Sequence, residues 1–570
     1  MAKRRRCATS LLLLALLALA APAVARKPAP LADAPVAWWE DPGAPIARPE
    51  TREPHDLVDM ARDGFFLPVE RFFNPLRRLR DLKGDPVAPA RDINSLDEAL
   101  NSSWFTNRIG LFPMSPAEVA LGPGPGRGPD PDGPWLVVAA KAQGVTPGFT
   151  VRDVNGTTFL VKFDPPGYLG MTSAAGAICA RLFHAAGYNV PDDNVVTFTP
   201  EQLVLDEGVT LKLPDGTRRA MTRADLDAIL APVERLEDGR ILAIASRWVA
   251  GRPIGCFDYR GLRADDPNDR IPHQERRELR GLRFFAAWLN HFDTKQQNSM
   301  DTWEPLADGA DRGFVKHYLI DFASTLGLGA GGPEPTFGRE LTVDFPAIAK
   351  RTAALGLHED AWRRLERPAA APGLGYWTAQ DFDPWAFDPL RPNSAFADCT
   401  PRDAYWAAKI ISAFTDEQLR AAVTAGRYVD PAAADIVARV LGERRDIIAK
   451  VAFDETPPLD FFSQVEGVVL WHDLGVERGI YPAAGTRYRA RLATVRADRR
   501  VVEQGEWMDL AATNVALSAL PGFARGKAVP PTSAPTYVEV QCQVDRGDGW
   551  SRTVTCYLAR ASGRVVAVDR

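Results

Sequence analysis

The sequence predicts an α+β protein: a mainly β lobe, then a mainly helical lobe, then a small β domain. Three observations predict it. Strand-like runs dominate from Trp135 to Val249, helical spacing dominates from Pro272 to Val451, and strand patterns return after Pro457. The length of 570 residues agrees, since at roughly 100 to 200 residues per domain it makes about three or four folded units. Charged residues are 25% and hydrophobic residues 46% of the chain, which excludes collagen, coiled coil and wholesale disorder. Lys plus Arg is 68 against 73 for Asp plus Glu, a formal charge of −5. Without the basic excess needed to neutralise many phosphates, nucleic acid is not expected as a partner.

Residues 1–25 read as a signal peptide. A cationic head, Lys3 to Arg6, precedes the apolar run Leu11 to Ala21 and the small-residue pattern Ala23-Val24-Ala25. About 12 apolar residues fall short of the roughly 20 that span a bilayer, and no later stretch approaches that length. The expectation is export, with cleavage near Ala25 and a periplasmic or extracellular mature chain that has no transmembrane segment. Losing the four positive charges of Lys3, Arg4, Arg5 and Arg6 takes the formal charge from −5 to −9.

Residues 26–95 read as a Pro-rich linker and a wrapping N-terminal extension. Trp38-Trp39, Gly64-Phe65-Phe66 and Phe72-Phe73 are too apolar to stay solvated and are expected to lie on a core. Residues 96–255 make the N-lobe. Within it, Gly122-Pro123-Gly124-Pro125-Gly126-Arg127-Gly128 is a plain loop, because prolines lack the N–H groups of a phosphate cradle. Trp135 to Lys141, Phe149 to Asp153 and Thr157 to Phe163 form an antiparallel meander, with Asn155-Gly156 as the strongest hairpin signal. Ile178, Leu182 and Phe183 make Met171 to Ala186 a helix that stops at Gly187. Strands follow at Asn194 to Phe198 and Ile241 to Val249, on either side of an insertion at 205–239.

Residues 256–455 make the helical C-lobe. Leu279, Leu282, Phe285 and Leu289 share one stripe of Glu275 to Asn290, and further helices are expected at Pro401 to Thr415, Thr415 to Ala425 and Pro431 to Val451. Residues 456–570 make a β-sandwich-like domain with strands at Val465 to Trp471, Tyr488 to Thr494 and a terminal hairpin, Tyr537 to Val544 with Arg552 to Leu558. Cys542 and Cys556 can face each other across that hairpin, where export would let a disulfide persist; the alternative is two unpaired buried thiols.

Several familiar sites are missing from the sequence. It holds no Gly-x-Ser-x-Gly, His-Glu-x-x-His, Cys-x-x-Cys or Gly-x-x-x-x-Gly-Lys-Ser/Thr, so zinc and serine-hydrolase readings lose their usual support. Gly327 to Gly332 fits Gly-x-Gly-x-x-Gly, yet Pro333-Glu334-Pro335 follows where a dinucleotide fold must start a helix. The informative segment is His291-Phe292-Asp293-Thr294-Lys295-Gln296-Gln297-Asn298, directly after the Leu279 to Leu289 stripe. An apolar strand, Tyr318-Leu319-Ile320, then delivers Asp321-Phe322-Ala323, and Lys162 stands on the third strand of the meander.

In this order the motifs resemble those of the protein-kinase-like superfamily, over roughly residues 130–455. They are similar to its atypical branches, the HipA-type, CotH-type and lipid kinases, and to exported bacterial proteins with an Asn-His-x-Asp loop and an Ile-Asp-Phe-Gly-Ser-Thr motif. The resemblance implies a two-lobed kinase-like fold that transfers phosphate from ATP. By the same resemblance Asp293 would orient the acceptor, Lys295 would contact the γ-phosphate, Asn298 and Asp321 would hold metal, and Lys162 would bind the α- and β-phosphates. The backbone from Gly144 to Gly148 would cover the nucleotide, and Trp248 and Val249 would belong to the hinge at adenine. Oxygen ligands imply Mg2+ or Mn2+.

One departure stands out. Kinases hold the strand lysine with a glutamate from the next helix, but Pro165 to Pro191 contains no Asp or Glu, and a glycine, Gly176, stands where the carboxylate is expected. Asp192 or Asp193 is the replacement to look for. The expected function is ATP- and Mg2+-dependent transfer to a hydroxyl of a protein, carbohydrate (an envelope glycan included) or lipid; the rival is a pseudokinase scaffold that binds an envelope or extracellular partner.

Overall fold

The computed structural model describes residues 29–53, 56–73, 87–140, 148–212, 217–355, 357–520 and 536–570. The expected signal peptide, Gly144 and the loop up to Gly148 lie outside the described residues. Trp135–Ala140 (β1), Gly148–Arg152 (β2) and Thr158–Phe163 (β3) are successive antiparallel neighbours. Asp153 closes the β2–β3 turn by accepting from the N–H groups of Asn155 and Thr157, and Gly156 takes φ 76, a left-handed position open to a residue without Cβ. Asp193–Phe198 (β4), Leu203–Leu205 (β5) and Ile241–Arg247 (β6) complete a six-stranded sheet of order β4-β6-β3-β2-β1-β5.

Strand alternation decides what each face carries. Phe159, Val161, Phe163 and Ala245 fill a core on one side, closed by Leu226 and Leu230 of a short helix within the 205–239 segment. Lys162, Ile244 and Val195 form one cross-strand row on the opposite side. The helix Met171–Ala186 (α1) lies against that second face. Gly176 allows the approach, since a Cβ there would stand 2.5 Å from Cδ1 of Ile244. Asp164, just past β3, accepts from the N–H groups of Gly170 and Ser173 and from the hydroxyls of Thr172 and Ser173 at 2.6 to 3.0 Å. Its carboxylate ties α1 to the strand that carries Lys162 and satisfies donors that a helix start leaves unpaired.

The helical lobe is built on Arg277–Leu289 (α2), Pro401–Ile411 (α3), Asp416–Ala425 (α4) and Pro431–Glu455 (α5). Reciprocal capping boxes, Thr400 with Asp403 and Thr415 with Gln418, set where α3 and α4 begin. Between α2 and α3 the strands Ser299–Pro305 (β7) and Gly313–Leu319 (β8) pair antiparallel with Ser299 opposite Leu319. Leu328–Gly329 and Gly332–Pro333 make a small hairpin, so the glycine-rich stretch starts no helix. Among the described residues no helix is long and apolar enough to cross a membrane.

The last unit has two sheets around one core, with Leu459, Val469 and Trp471 from one sheet meeting Leu492, Val540 and Leu558 from the other. Two expectations need correction, and one alternative left open is decided. Val465 to Trp471 is not one strand: Glu466 and Gly467, at φ 49 and 80, turn the chain between strands Leu459–Val465 and Val468–Asp473. Cys542 and Cys556 are both free, because Cys556 stands opposite Val540 and Cys542 opposite Val554. Diagonal neighbours lie about 7–8 Å apart, too far for a disulfide. Finally, Trp39, Phe65, Phe66 and Phe73 are exposed rather than buried, at 70%, 50%, 62% and 70%. The Trp38–Glu40 stretch is held through its backbone, by hydrogen bonds to and from Asn101, which leaves the Trp39 ring outside.

Candidate functional site

The candidate cleft is the junction where the second face of the β1–β6 sheet, carrying Lys162, meets the loop after α2 and the end of β8. On the sheet side, Lys162 extends its ammonium to Asp321, Nζ to Oδ1 at 2.8 Å, with the lysine side chain 13% and the aspartate 40% exposed. Asp321 takes φ 63, unusual for a residue with Cβ and common only where the surroundings impose it. Gly148 is the register partner of Lys162, so its backbone stands directly across from that lysine.

The β7–β8 register builds the other wall. Asn298 precedes β7 and Ile320 follows β8, and the N–H of Ile320 donates to the Asn298 carbonyl at 3.1 Å. Two residues 23 positions apart in sequence, Asn298 and Asp321, are thereby brought together by one hairpin. Asn298 donates through Nδ2 to the carbonyl of Asp293 at 2.7 Å and to its Oδ2 at 3.0 Å, and Lys295 donates to the same Oδ2 at 2.9 Å. Asp293 therefore enters the cleft with one oxygen doubly hydrogen-bonded.

His291 stands beneath this layer as a structural group. Its own N–H donates to the Ala286 carbonyl, its ring lies 5.6 Å from Phe322 and 5.8 Å from Phe183, and burial pushes its pKa down to about 4. Phe183 and Phe322 stack at 5.0 Å, and Cys179 reaches Thr325 at 3.2 Å, so α1 is packed onto the segment that carries Asp321. His317 has a different setting. It pairs with Asp301 at 2.6 Å and stacks on Trp104 at 3.5 Å, and Asp301 also holds Arg263 at 2.9 Å.

Asp193 is a buried carboxylate on the same face of the sheet as Lys162. The sheet register places Asp193, Ser246 and Leu160 in the row next to Val195, Ile244 and Lys162, on the same face. The side chain is 2% exposed, and its Oδ1 has no hydrogen-bond partner among the described residues. Burial pushes the Asp193 pKa up to about 7 against the opposing hydrogen bond from Ser246 and the charge of Lys162, while Asp321 raises it further. Asp192 faces elsewhere, accepting from Asn194 at 2.8 Å. Gly176 does look toward the cleft, since a Cβ on it would come within 3.7 Å of the Ala323 nitrogen.

Trp248 and Val249 follow β6 in the crossing to the helical lobe. The Trp248 N–H donates to the Thr158 carbonyl at 3.0 Å, its ring is 58% exposed, and Val249 is half-buried. Gly251, at φ 84, then lets the chain pass against the Trp303 carbonyl before residues 252–253 pair with β7. Sequence reasoning missed Asp164. Its partners sit six to nine positions downstream, outside local capping spacing, so no short motif announces it.

The donor set suits a hard divalent cation. Asp321 and Asn298 offer oxygen, the Asn298 amide nitrogen is already used on Asp293, and no cluster of three or more His, Cys, Asp or Glu suited to a metal exists among the described residues. Asn298 and Asp321 would hold such a cation through oxygen, with water filling its remaining positions.

No protein-family model matches the chain, and no curated protein matches its sequence. Solved structures give a distant likeness. A Golgi casein kinase structure shares 8% identity at a TM-score of 0.26, over 57% of this chain and 75% of that one. The Golgi casein kinase with Mn/ADP bound shares 9% at 0.25, over 56% and 72%. The functional reading of the cleft rests on the chain's own residues.

Proposed function

We propose that the chain is a kinase-like phosphotransferase that moves phosphate from ATP, with Mg2+ or Mn2+, to a hydroxyl acceptor, and that it acts after export. The observation that carries this reading is the convergence of Lys162, Asp321, Asn298 and Asp293 at one cleft from three separate parts of the sequence. Phosphoryl transfer asks for those groups: cations on the phosphate oxygens, oxygen ligands for a metal, and a carboxylate at the acceptor hydroxyl. Asn298 and Asp321 would hold the metal, whose charge offsets that of the phosphates. Lys162 would exchange Asp321 for the α- and β-phosphates, and Asp193 would take over the support of its ammonium. Asp293 would accept the hydroxyl proton, with Asn298 and Lys295 fixing its carboxylate; Lys295 would also meet the γ-phosphate. The backbone at Gly144 and Gly148 would cover the nucleotide, with Trp248 and Val249 beside the base. The acceptor belongs to proteins, glycans or lipids of the cell envelope or its surroundings.

Thermal unfolding with ATP and Mg2+ tests the reading. A ligand at about 100 times its dissociation constant stabilises the native state by about 2.7 kcal/mol, roughly 2–4 °C in Tm for units of this size. Absence of a shift with every nucleotide at millimolar concentration rejects it. The rival scaffold reading is favoured by one observation, the lack of any acidic side chain on α1. It predicts nucleotide-independent partner binding with no turnover.

A further inference from the structure

A second cavity, of about 280 Å³, lies in the helical lobe between the end of α2, the 338–387 segment and α5. Arg444 and Arg339 line it with Asn290, Trp362, Phe382 and Phe387. Neither arginine has a paired carboxylate among the described residues: burial alone lowers the pKa of Arg339, and burial with repulsion from Arg339 lowers that of Arg444. Arg444 is 4% exposed. It donates to the carbonyls of Thr378 and Ala287, the Phe382 ring covers it at 3.6 Å, and its Nε has no partner. Arg339 donates to the carbonyls of Pro335, Phe337 and Tyr376. Asn290, 4% exposed, leaves its Nδ2 without a partner as well.

A buried guanidinium without an anion is costly, and a buried donor without an acceptor adds to that cost, so an anion that supplies both is favoured here. Three acids also line the cavity. Asp360 is engaged by Arg351 and His358, while Asp381 and Asp383 are exposed at the rim. That distribution, cationic inside and acidic at the mouth, disfavours extended polyanions and leaves room for a small one. We propose that the cavity binds a compact anionic group, a carboxylate or a phosphoryl oxyanion, held by Arg444, Arg339 and the Asn290 amide. Asn290 caps α2 at φ 50, immediately before His291 and the loop that carries Asp293, so an anion here touches the base of that loop. The site does not depend on phosphoryl transfer in the cleft.

Isothermal titration calorimetry of the full chain with sodium phosphate, and separately with sodium acetate, against sodium chloride at constant ionic strength tests the proposal. Saturable binding of one anion per chain is expected with at least one of them, and the arm that responds tells phosphoryl from carboxylate recognition. Lys162→Met should bind as wild type does, which separates this cavity from the nucleotide cleft. Arg339→Gln should weaken binding at least tenfold. Should that variant fail to fold, Asn290→Gly removes the amide while tolerating the left-handed backbone, and it should weaken binding several-fold. Absence of saturable binding of either anion to wild type, or binding lost in Lys162→Met and retained in Arg339→Gln and Asn290→Gly, overturns the proposal.

Discussion

Two regions of this protein are built from the same ingredients, basic side chains against carboxylates, and behave differently. In the cleft Lys162 with Asp321 and Lys295 with Asp293 stand partly in solvent. Under the N-terminal extension, Arg276, Arg277, Lys409 and Arg570 are buried among Glu40, Asp97, Glu98, Glu278, Asp403 and Asp460. That network joins residues 92–98, α2, α3 and the C-terminal unit. Most of its members are buried, so removing one partner leaves another's charge poorly compensated. The cleft pairs keep part of their hydration and are worth little to stability, which leaves their groups able to change partners. Burial thus separates charges that hold the fold from charges available to a ligand.

Variants can sharpen or break that contrast. The largest effect is expected at Arg277, which pairs with Asp97 at 2.6 Å and Asp403 at 3.0 Å while 1% exposed. Arg277→Met takes a buried charge from two carboxylates, leaving Asp97 to Arg402 and Asp403 to the Thr400 cap and Arg280, and should cost about 3–5 kcal/mol in urea unfolding; a loss below about 1 kcal/mol would show that the network is not a structural unit. Next, Asp293→Asn should lower turnover by about 10²–10⁴ with nucleotide binding largely kept, read as phosphate release or self-phosphorylation. Equal activity in wild type and variant would favour the scaffold reading. Third, Lys162→Met should weaken ATP binding by tenfold or more while changing unfolding free energy by less than about 1 kcal/mol. A large stability loss would place Lys162 with the structural charges.

The smallest effect concerns pH. Asp193 is pushed up from 3.8 to about 7 by burial. Between those values the native state holds a proton that the unfolded chain has released, so stability contributed below pH 4 declines as pH rises to about 7. Asp193→Asn cannot ionise and should flatten that part of the stability–pH profile. An unchanged slope from pH 4 to 7 would show that Asp193 titrates normally.

Much of this was legible before any coordinates. Asn155-Gly156 marks its hairpin because its backbone requirements are local, and the helices at Pro401 and Thr415 are marked by local spacing in the same way. The α1 and α2 stripes and the order of Lys162, Asp293, Asn298 and Asp321 follow from spacing that any reader of the chain can count. Tertiary structure alone decided the rest. Which aspartate stands beside Lys162 depends on the β4–β6–β3 register, whether Cys542 meets Cys556 depends on a two-residue offset, and Trp39 is exposed because its backbone rather than its ring makes the contact. Arg339 and Arg444, more than a hundred positions apart, share a cavity that no local pattern foretells. The physical reason is common to all of them: periodicity and capping are set by neighbours within a few residues, whereas the meeting of two faces is set by packing among elements distant in sequence.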